Sequence, residues 1–192
     1  MKLNQLPNLI SVLRILLVIP VVCSLLEGQY ALALLLFFVA GVSDGVDGFL
    51  ARQFGWQSRL GAILDPIGDK LLLVSVFIVL GWLGHLPVLL VMVVIARDII
   101  IVSGATLYHF LIEEVPIKPV FISKVNTAMQ LLLVLVVIIR LAELPFSNYL
   151  AMTFVDSLIV LVYATTISSG IVYVWQWSRR AVYASQRKGQ GR

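Results

Sequence analysis

Charge is scarce in this sequence, and so are thiols and imidazoles. Of its 192 residues 12% are charged, one is cysteine and two are histidine. A soluble domain carries about twice that charged share. Cys23 cannot form a disulfide within the chain and is expected to be a small buried apolar residue. His85 and His109 fall toward opposite ends of the third and fourth apolar segments, and no Ser/His/Asp set is apparent. There is no internal repeat, no low-complexity tract and no connection long enough for a second domain. The start "MKLNQLPNLISVLRILL" lacks a cleavage-site pattern and is not rich in Arg and Ser, so it reads as mature protein. A net charge of +4 is modest and needs no nucleic acid to explain it.

Hydrocarbon is abundant: 60% of the residues are hydrophobic. Crossing a bilayer core takes about 20 apolar residues per helix. Six segments approach that length: 9–26, 30–48, 63–83, 87–110, 122–141 and 148–177. Lys2, Arg14, Arg52, Arg59, Lys70, Lys118, Lys124, Arg179, Arg180, Arg187, Lys188 and Arg192 fall at the N-terminus, the even-numbered connections or the C-terminus. Arg140 lies near an odd-numbered connection, and Arg97 lies inside the fourth segment. Basic residues mark the cytoplasmic side. The expected fold is therefore an all-α integral membrane protein in the bilayer, with six transmembrane helices and both termini cytoplasmic. It forms a single domain over 1–192. A bacterial inner membrane is the expected location. Trp82, Tyr149, Trp175 and Trp177 suit interfacial belts, and "RRAVYASQRKGQGR" suits a solvated basic end.

Against this background, "SDGVDGFLARQFGWQSRLGAILDPIGDK" holds four of the ten acidic residues. Asp44 and Asp47 are three apart and share a helix face, with Gly48 and Ala51 continuing the stripe. Gly61, Asp65 and Asp69 are spaced by four and form a second stripe. An aspartate at membrane depth costs about 2.5–3.5 kcal/mol, so four bare ones cost on the order of 10 kcal/mol. One or two divalent cations would offset that cost. Oxygen ligands without histidine or thiol favour Mg²⁺, Mn²⁺ or Ca²⁺ over zinc. Small residues beside the carboxylates let a helix or a ligand approach closely. Pro66 permits a bend between Asp65 and Asp69. A purely structural pairing with Arg52, Arg59 and Lys70 leaves those small residues unexplained.

"DGVDGFLAR", eight further residues and "GAILDPIGD" match the D-x2-D-G-x2-A-R-x8-G-x3-D-x3-D pattern at every fixed position. The chain thereby resembles the CDP-alcohol phosphatidyltransferases. That resemblance implies a six-helix fold, a homodimer, and a site for two divalent cations (Mg²⁺ or Mn²⁺) open to the cytoplasm. By it, Asp44, Asp47 and Asp65 match metal ligands, and Asp69 a metal-site carboxylate and general base. Gly48 and Ala51 match positions where the CDP moiety packs, and Arg52 the motif arginine. The implied donor is CDP-diacylglycerol. Gly61 on the second stripe joins the donor-binding set. Asn8, Ser11 and Arg14 form a polar stripe that suits either interfacial capping or the donor's pocket.

The motif leaves the acceptor open. Arg97 and Asp98 suit a buried ion pair or a wall that orients metal ligands or acceptor. Lys124, near two phosphates, is expected to bind phosphate. Asn126 and Gln130 suit interhelical hydrogen bonds or a pocket wall, and Ser123 suits an N-cap. By resemblance, bacterial phosphatidylglycerophosphate synthases carry an Arg-Glu pair, a later arginine and a G-K-x-K-T segment. Here stand Arg97-Asp98, Ala105 and "SKVNT", with Asn126 in place of the second lysine. "LPNLISVLRI", "RDIIIV" and "KPVFISKVNTAMQL" resemble the eukaryotic-type, CMP-forming cardiolipin synthases. The expected acceptor is phosphatidylglycerol, with glycerol 3-phosphate as the alternative. Fewer cations suit the less charged acceptor.

Asp156 is expected to be a hydrogen-bonded structural acid. Thr165, Thr166, Ser168, Ser169 and Gly170 suit helix packing, and Glu113-Glu114 suit a solvated loop. Two rival classes are a divalent-cation transporter and a non-enzymatic membrane assembly factor. A transport site usually lies at the midplane of a repeat interface, whereas these aspartates stand at helix ends.

Overall fold

A computed structural model describes residues 6–54, 61–111, 121–144 and 152–190. They form α1 (Leu6–Leu26), α2 (Tyr30–Phe54), α3 (Gly61–Trp82), α4 (Val88–Leu111), α5 (Phe121–Leu141) and α6 (Met152–Gln190). Among the described residues there is no strand. The helices follow the apolar segments, with two extensions. α2 runs past 48 to Phe54, and α6 runs past 177 to Gln190. Hydropathy marks where apolar sequence stops, but Ala, Arg, Gln and Lys continue a helix readily. α3 continues through Pro66 as one helix.

Phe121–Leu141 and Met152–Gln176 are long and apolar enough to cross a membrane. Val12–Leu26, Tyr30–Ser43 and Lys70–Trp82 are shorter apolar stretches.

The chain divides into two compact units. The first joins Met1–Pro87 with Val134–Val155, and the second joins Val88–Leu133 with Asp156–Arg192. Within the first, α1 packs against both α2 and α3. Val21, Leu25, Ala33, Phe37, Val76 and Phe77 are buried there, together with Val137 and Ile138 from the end of α5. Within the second, Leu90, Val94, Leu133 and Val162 are buried beside Arg97, Asp98, Asn126, Gln130, Thr166 and Ser169.

Exposed faces are apolar in both units. Leu16, Ile19, Leu35 and Phe38 point outward in the first, and Leu89, Ile99, Val102 and Val160 in the second. A water-soluble fold rarely exposes such contiguous apolar surface. The same inversion corrects the reading of Cys23, which is exposed on α1. When the outer surface is hydrocarbon, an apolar side chain need not be inside. Trp82 is exposed at the end of α3, as an interfacial residue would be, and Trp175 is exposed within α6. Asp156 is also exposed and has no hydrogen-bond partner among the described residues, so the expected structural acid is not found.

The turns after α1 and α3 share one device. Gln29 N–H donates to Ser24 O at 2.8 Å, and His85 N–H donates to Leu80 O at 2.9 Å. These bonds reach back five residues, around Gly28 and Gly84 with φ of 72° and 78°. This is the Schellman termination, in which glycine takes the left-handed position at no steric cost. Glu143 takes φ 49° after α5 without that freedom. The cap also fixes His85 as the next residue after the turn.

Gly84→Ala should destabilise the fold by about 1–2 kcal/mol, from backbone strain rather than crowding. Nothing lies within 4 Å of a Cβ built there. Thermal unfolding in detergent checks this, and an unchanged midpoint would contradict the strained-cap account.

Candidate active site

The aspartate motif falls on two helices. Asp44 and Asp47 belong to the last turns of α2, with Gly48, Ala51 and Arg52 following. Gly61 opens α3, with Asp65 and Asp69 in its first turns. The spacings of three and four thus occur on helical backbone, as the stripe reading requires. Ser43 Oγ donates to Val39 O at 2.7 Å just before the motif, satisfying its hydroxyl within the helix. The side chains of all these aspartates, and of Ala51 and Arg52, lie outside the described set, as do the surroundings of Gly48 and Gly61. So do the side chains of Asn8, Ser11 and His109, and the residues Arg59, Glu113, Glu114, Lys118 and Tyr149. The donor set itself fits a hard divalent cation, since it is all carboxylate and sits on helical segments whose spacing aligns each pair.

Arg14, third in the α1 polar stripe, is 1% exposed and the largest of the fully buried side chains among the described residues. Its side chain is packed inside the first unit.

The second unit carries a described polar cluster built around Arg97 on α4. Its Nη1 donates to Asp98 Oδ1 at 2.7 Å. Its Nε and Nη2 donate to Ser169 Oγ on α6, at 3.2 and 2.7 Å. Its Nη2 also donates to Ser123 Oγ on α5. The guanidinium lies 5.9 Å from the Tyr173 ring centroid, within cation–π range. A Cβ at Gly170 would stand 3.9 Å from Arg97 Cγ, so α6 comes close at that point. One side chain therefore ties three helices, and most of its donors are engaged inside the unit.

One turn along α5, Asn126 is fully buried. Its Oδ1 accepts from Thr165 Oγ1 at 2.9 Å and from Thr166 Oγ1 at 2.8 Å. Among the described residues its Nδ2 has no partner, and neither amide atom of buried Gln130 has one. Lys124 is exposed.

Ser123 is the third residue of α5 and not its N-cap, because the helix begins at Phe121. Its hydroxyl serves Arg97 instead. Thr165, Thr166, Ser169 and Gly170 do pack α6 against its neighbours, by hydrogen bonds rather than by small size alone. The sequence signal for this was available: polar residues at 97, 123, 126, 165, 166 and 169 interrupt apolar helices. What was missing was which of them meet.

The model of the CDP-alcohol phosphatidyltransferase family matches residues 4–176. The chain belongs to that family. Among curated relatives of the chain is a cardiolipin synthase (CMP-forming) of Rattus norvegicus. It is 33% identical over 95% of this chain and 64% of its own length. The cardiolipin synthase (CMP-forming) of Homo sapiens is 32% identical over 92% of this chain and 62% of its own length. A chloroplastic CDP-diacylglycerol–glycerol-3-phosphate 3-phosphatidyltransferase of Oryza sativa subsp. japonica is 33% identical over 88% of this chain and 56% of its own length. The chain thus spans less than two thirds of each of these relatives.

Arg97→Met should destabilise the fold by roughly 3–5 kcal/mol, because it removes the guanidinium paired with the buried Asp98 carboxylate. Replacing Asp98 with Leu as well should restore part of that loss. Chemical or thermal unfolding of both variants checks this. A double variant no more stable than the single one would contradict the ion-pair account.

Proposed function

We propose that this chain transfers a phosphatidyl group from CDP-diacylglycerol to phosphatidylglycerol, forming cardiolipin and releasing CMP. The observation that carries the chemistry is the complete aspartate motif on the helical ends of α2 and α3. The family match and the cardiolipin synthase relatives support it. The same reading takes 1–192 as one membrane domain with six spans, both termini and the site on the cytoplasmic side, and a homodimer as assembly. Outward apolar faces and the two long apolar helices support the membrane part.

Asp44, Asp47, Asp65 and Asp69 are assigned to hold two divalent cations, Mg²⁺ or Mn²⁺. When bound, such cations neutralise a pyrophosphate and stabilise CMP as a leaving group. Asp69 accepts the proton of the acceptor hydroxyl. The hydroxyl oxygen forms a bond to the lipid-side phosphorus, and the bond from that phosphorus to the CMP oxygen breaks. Gly48, Ala51 and Gly61 leave room for the nucleotide lipid, and Arg52, Asn8 and Ser11 contribute to holding it. Placement of the pyrophosphate at the membrane edge lets the acyl tails remain in hydrocarbon.

For the acceptor, Lys124 is assigned to its phosphodiester. Asn126 supplies a neutral donor, with Oδ1 already held by two threonines. Arg97 and Asp98 act as positioning residues, since the guanidinium is occupied by Asp98, Ser123 and Ser169. A neutral amide at 126 favours an acceptor with one phosphate charge over glycerol 3-phosphate. The relative from Oryza sativa supports that second acceptor as the alternative reading.

Purified protein given labelled CDP-diacylglycerol and each acceptor separately should form product with phosphatidylglycerol. Product only with glycerol 3-phosphate would overturn the acceptor assignment. Asp69→Asn should remain folded and lose about 10²–10⁴-fold in CMP release. Full activity in that variant would remove Asp69 from catalysis, and metal-independent CMP release would remove the cation site.

A further inference from the structure

Arg140 is the basic residue that breaks the pattern of positive charge along the chain. It ends α5, next to an odd-numbered connection. His85 follows α3 at another odd-numbered connection. Within the first unit the two line one cavity of about 240 Å³, with Val137, Leu141, Met152 and Val155. Asp65 and Asp69 stand near the opposite end of α3. At 1.5 Å per residue, Asp69 and Trp82 are separated by about 20 Å along the helix. The cavity therefore belongs to the end of the unit away from the catalytic motif.

Its chemistry is that of an anion site. The Arg140 Nη1 contact is Met152 Sδ at 3.0 Å, and a thioether is a weak acceptor. Among the described residues no carboxylate pairs with Arg140. Glu143 lines a neighbouring cavity with Gly28, Gln29 and Tyr30, and Glu27 accepts from Gln29 Nε2 at 2.9 Å. His85 is set in place from two sides. The Schellman turn fixes its backbone, and Tyr30 holds its ring edge-on, with 5.9 Å between centroids and 3.3 Å from Oη to Nε2. With Tyr30 Oη donating to Nε2, the ring proton sits on Nδ1, which has no partner among the described residues. A guanidinium fork and an imidazole over an apolar floor suit a phosphate whose molecule continues into hydrocarbon.

We propose that Arg140 and His85 bind the phosphate of an anionic membrane lipid, at the membrane face opposite the catalytic aspartates. Arg140 supplies the charge, and the Tyr30–His85 pair sets the second donor. Val137, Met152 and Val155 meet the first carbons of the lipid chains. This site rests on the membrane reading of the fold and not on the transfer reaction.

Native mass spectrometry of the full chain in detergent, with EDTA present, can follow titration by dioleoylphosphatidic acid. EDTA keeps metal-dependent lipid binding at the aspartates out of the measurement. The wild type should retain one lipid that Arg140→Gln binds about tenfold more weakly or worse. Arg140→Lys should keep most of the binding. His85→Phe, which preserves the ring packing, should weaken it by a smaller factor. Equal lipid binding by wild type, Arg140→Gln and His85→Phe overturns the proposal. Inorganic phosphate at the same concentration should not displace the lipid, and displacement would replace the lipid by free phosphate as the ligand. CMP release by Arg140→Gln, assayed with metal restored, should match the wild type. A wild type that binds this lipid but releases no CMP would fault the transfer reading and leave the lipid site standing.

Discussion

A buried guanidinium organises the second unit. Arg97 is 4% exposed and must replace its lost water with protein oxygens. Asp98 supplies charge, Ser169 and Ser123 supply lone pairs, and Tyr173 supplies a ring face. Those partners come from α4, α5 and α6, so satisfying one side chain sets the mutual approach of three helices. The neighbouring Asn126–Thr165–Thr166 bonds repeat the arrangement one turn further along α5. With polar groups turned inward, the outward positions are left to Leu, Ile, Val and Met. Interhelical hydrogen bonds of this kind do in hydrocarbon what apolar burial does in water.

The first unit is held differently. Its described core is almost wholly aliphatic and aromatic, with α1 packed on both α2 and α3. Buried Arg14 and Ser24 on α1 are its polar members among the described residues. One end of α2 and α3 bears the aspartates and small residues; the other bears Tyr30, His85 and the glycine caps. The caps matter here because a Schellman turn decides where the next side chain starts.

Much of this was legible in the residues. The aspartate motif was readable because helical periodicity converts spacing directly into shared faces. The apolar segments were readable because a helix in hydrocarbon needs a minimum length. Facing direction was harder. Cys23 looked buried because it is small and apolar, yet apolar surface outside a membrane helix carries no penalty. Ser123 looked like a cap because it precedes an apolar run, yet α5 starts before it and its hydroxyl is used by Arg97. Asp156 looked like a hydrogen-bonded acid and is exposed. Each error arose from treating a residue type as sufficient to name its neighbours.

The sequence by itself determined the helical class, the aspartate motif and the family, since all three depend on spacing along one chain. Tertiary structure decided that Arg97 is a joint between helices, that Asn126 is held by two threonines, and that Arg140 and His85 line one cavity. Those pairings link residues from 26 to 72 positions apart in the case of Arg97 with Ser123 and Ser169. No local periodicity encodes such a meeting. It follows from the need of each buried polar group to find a partner, and only packing determines which partner is within reach.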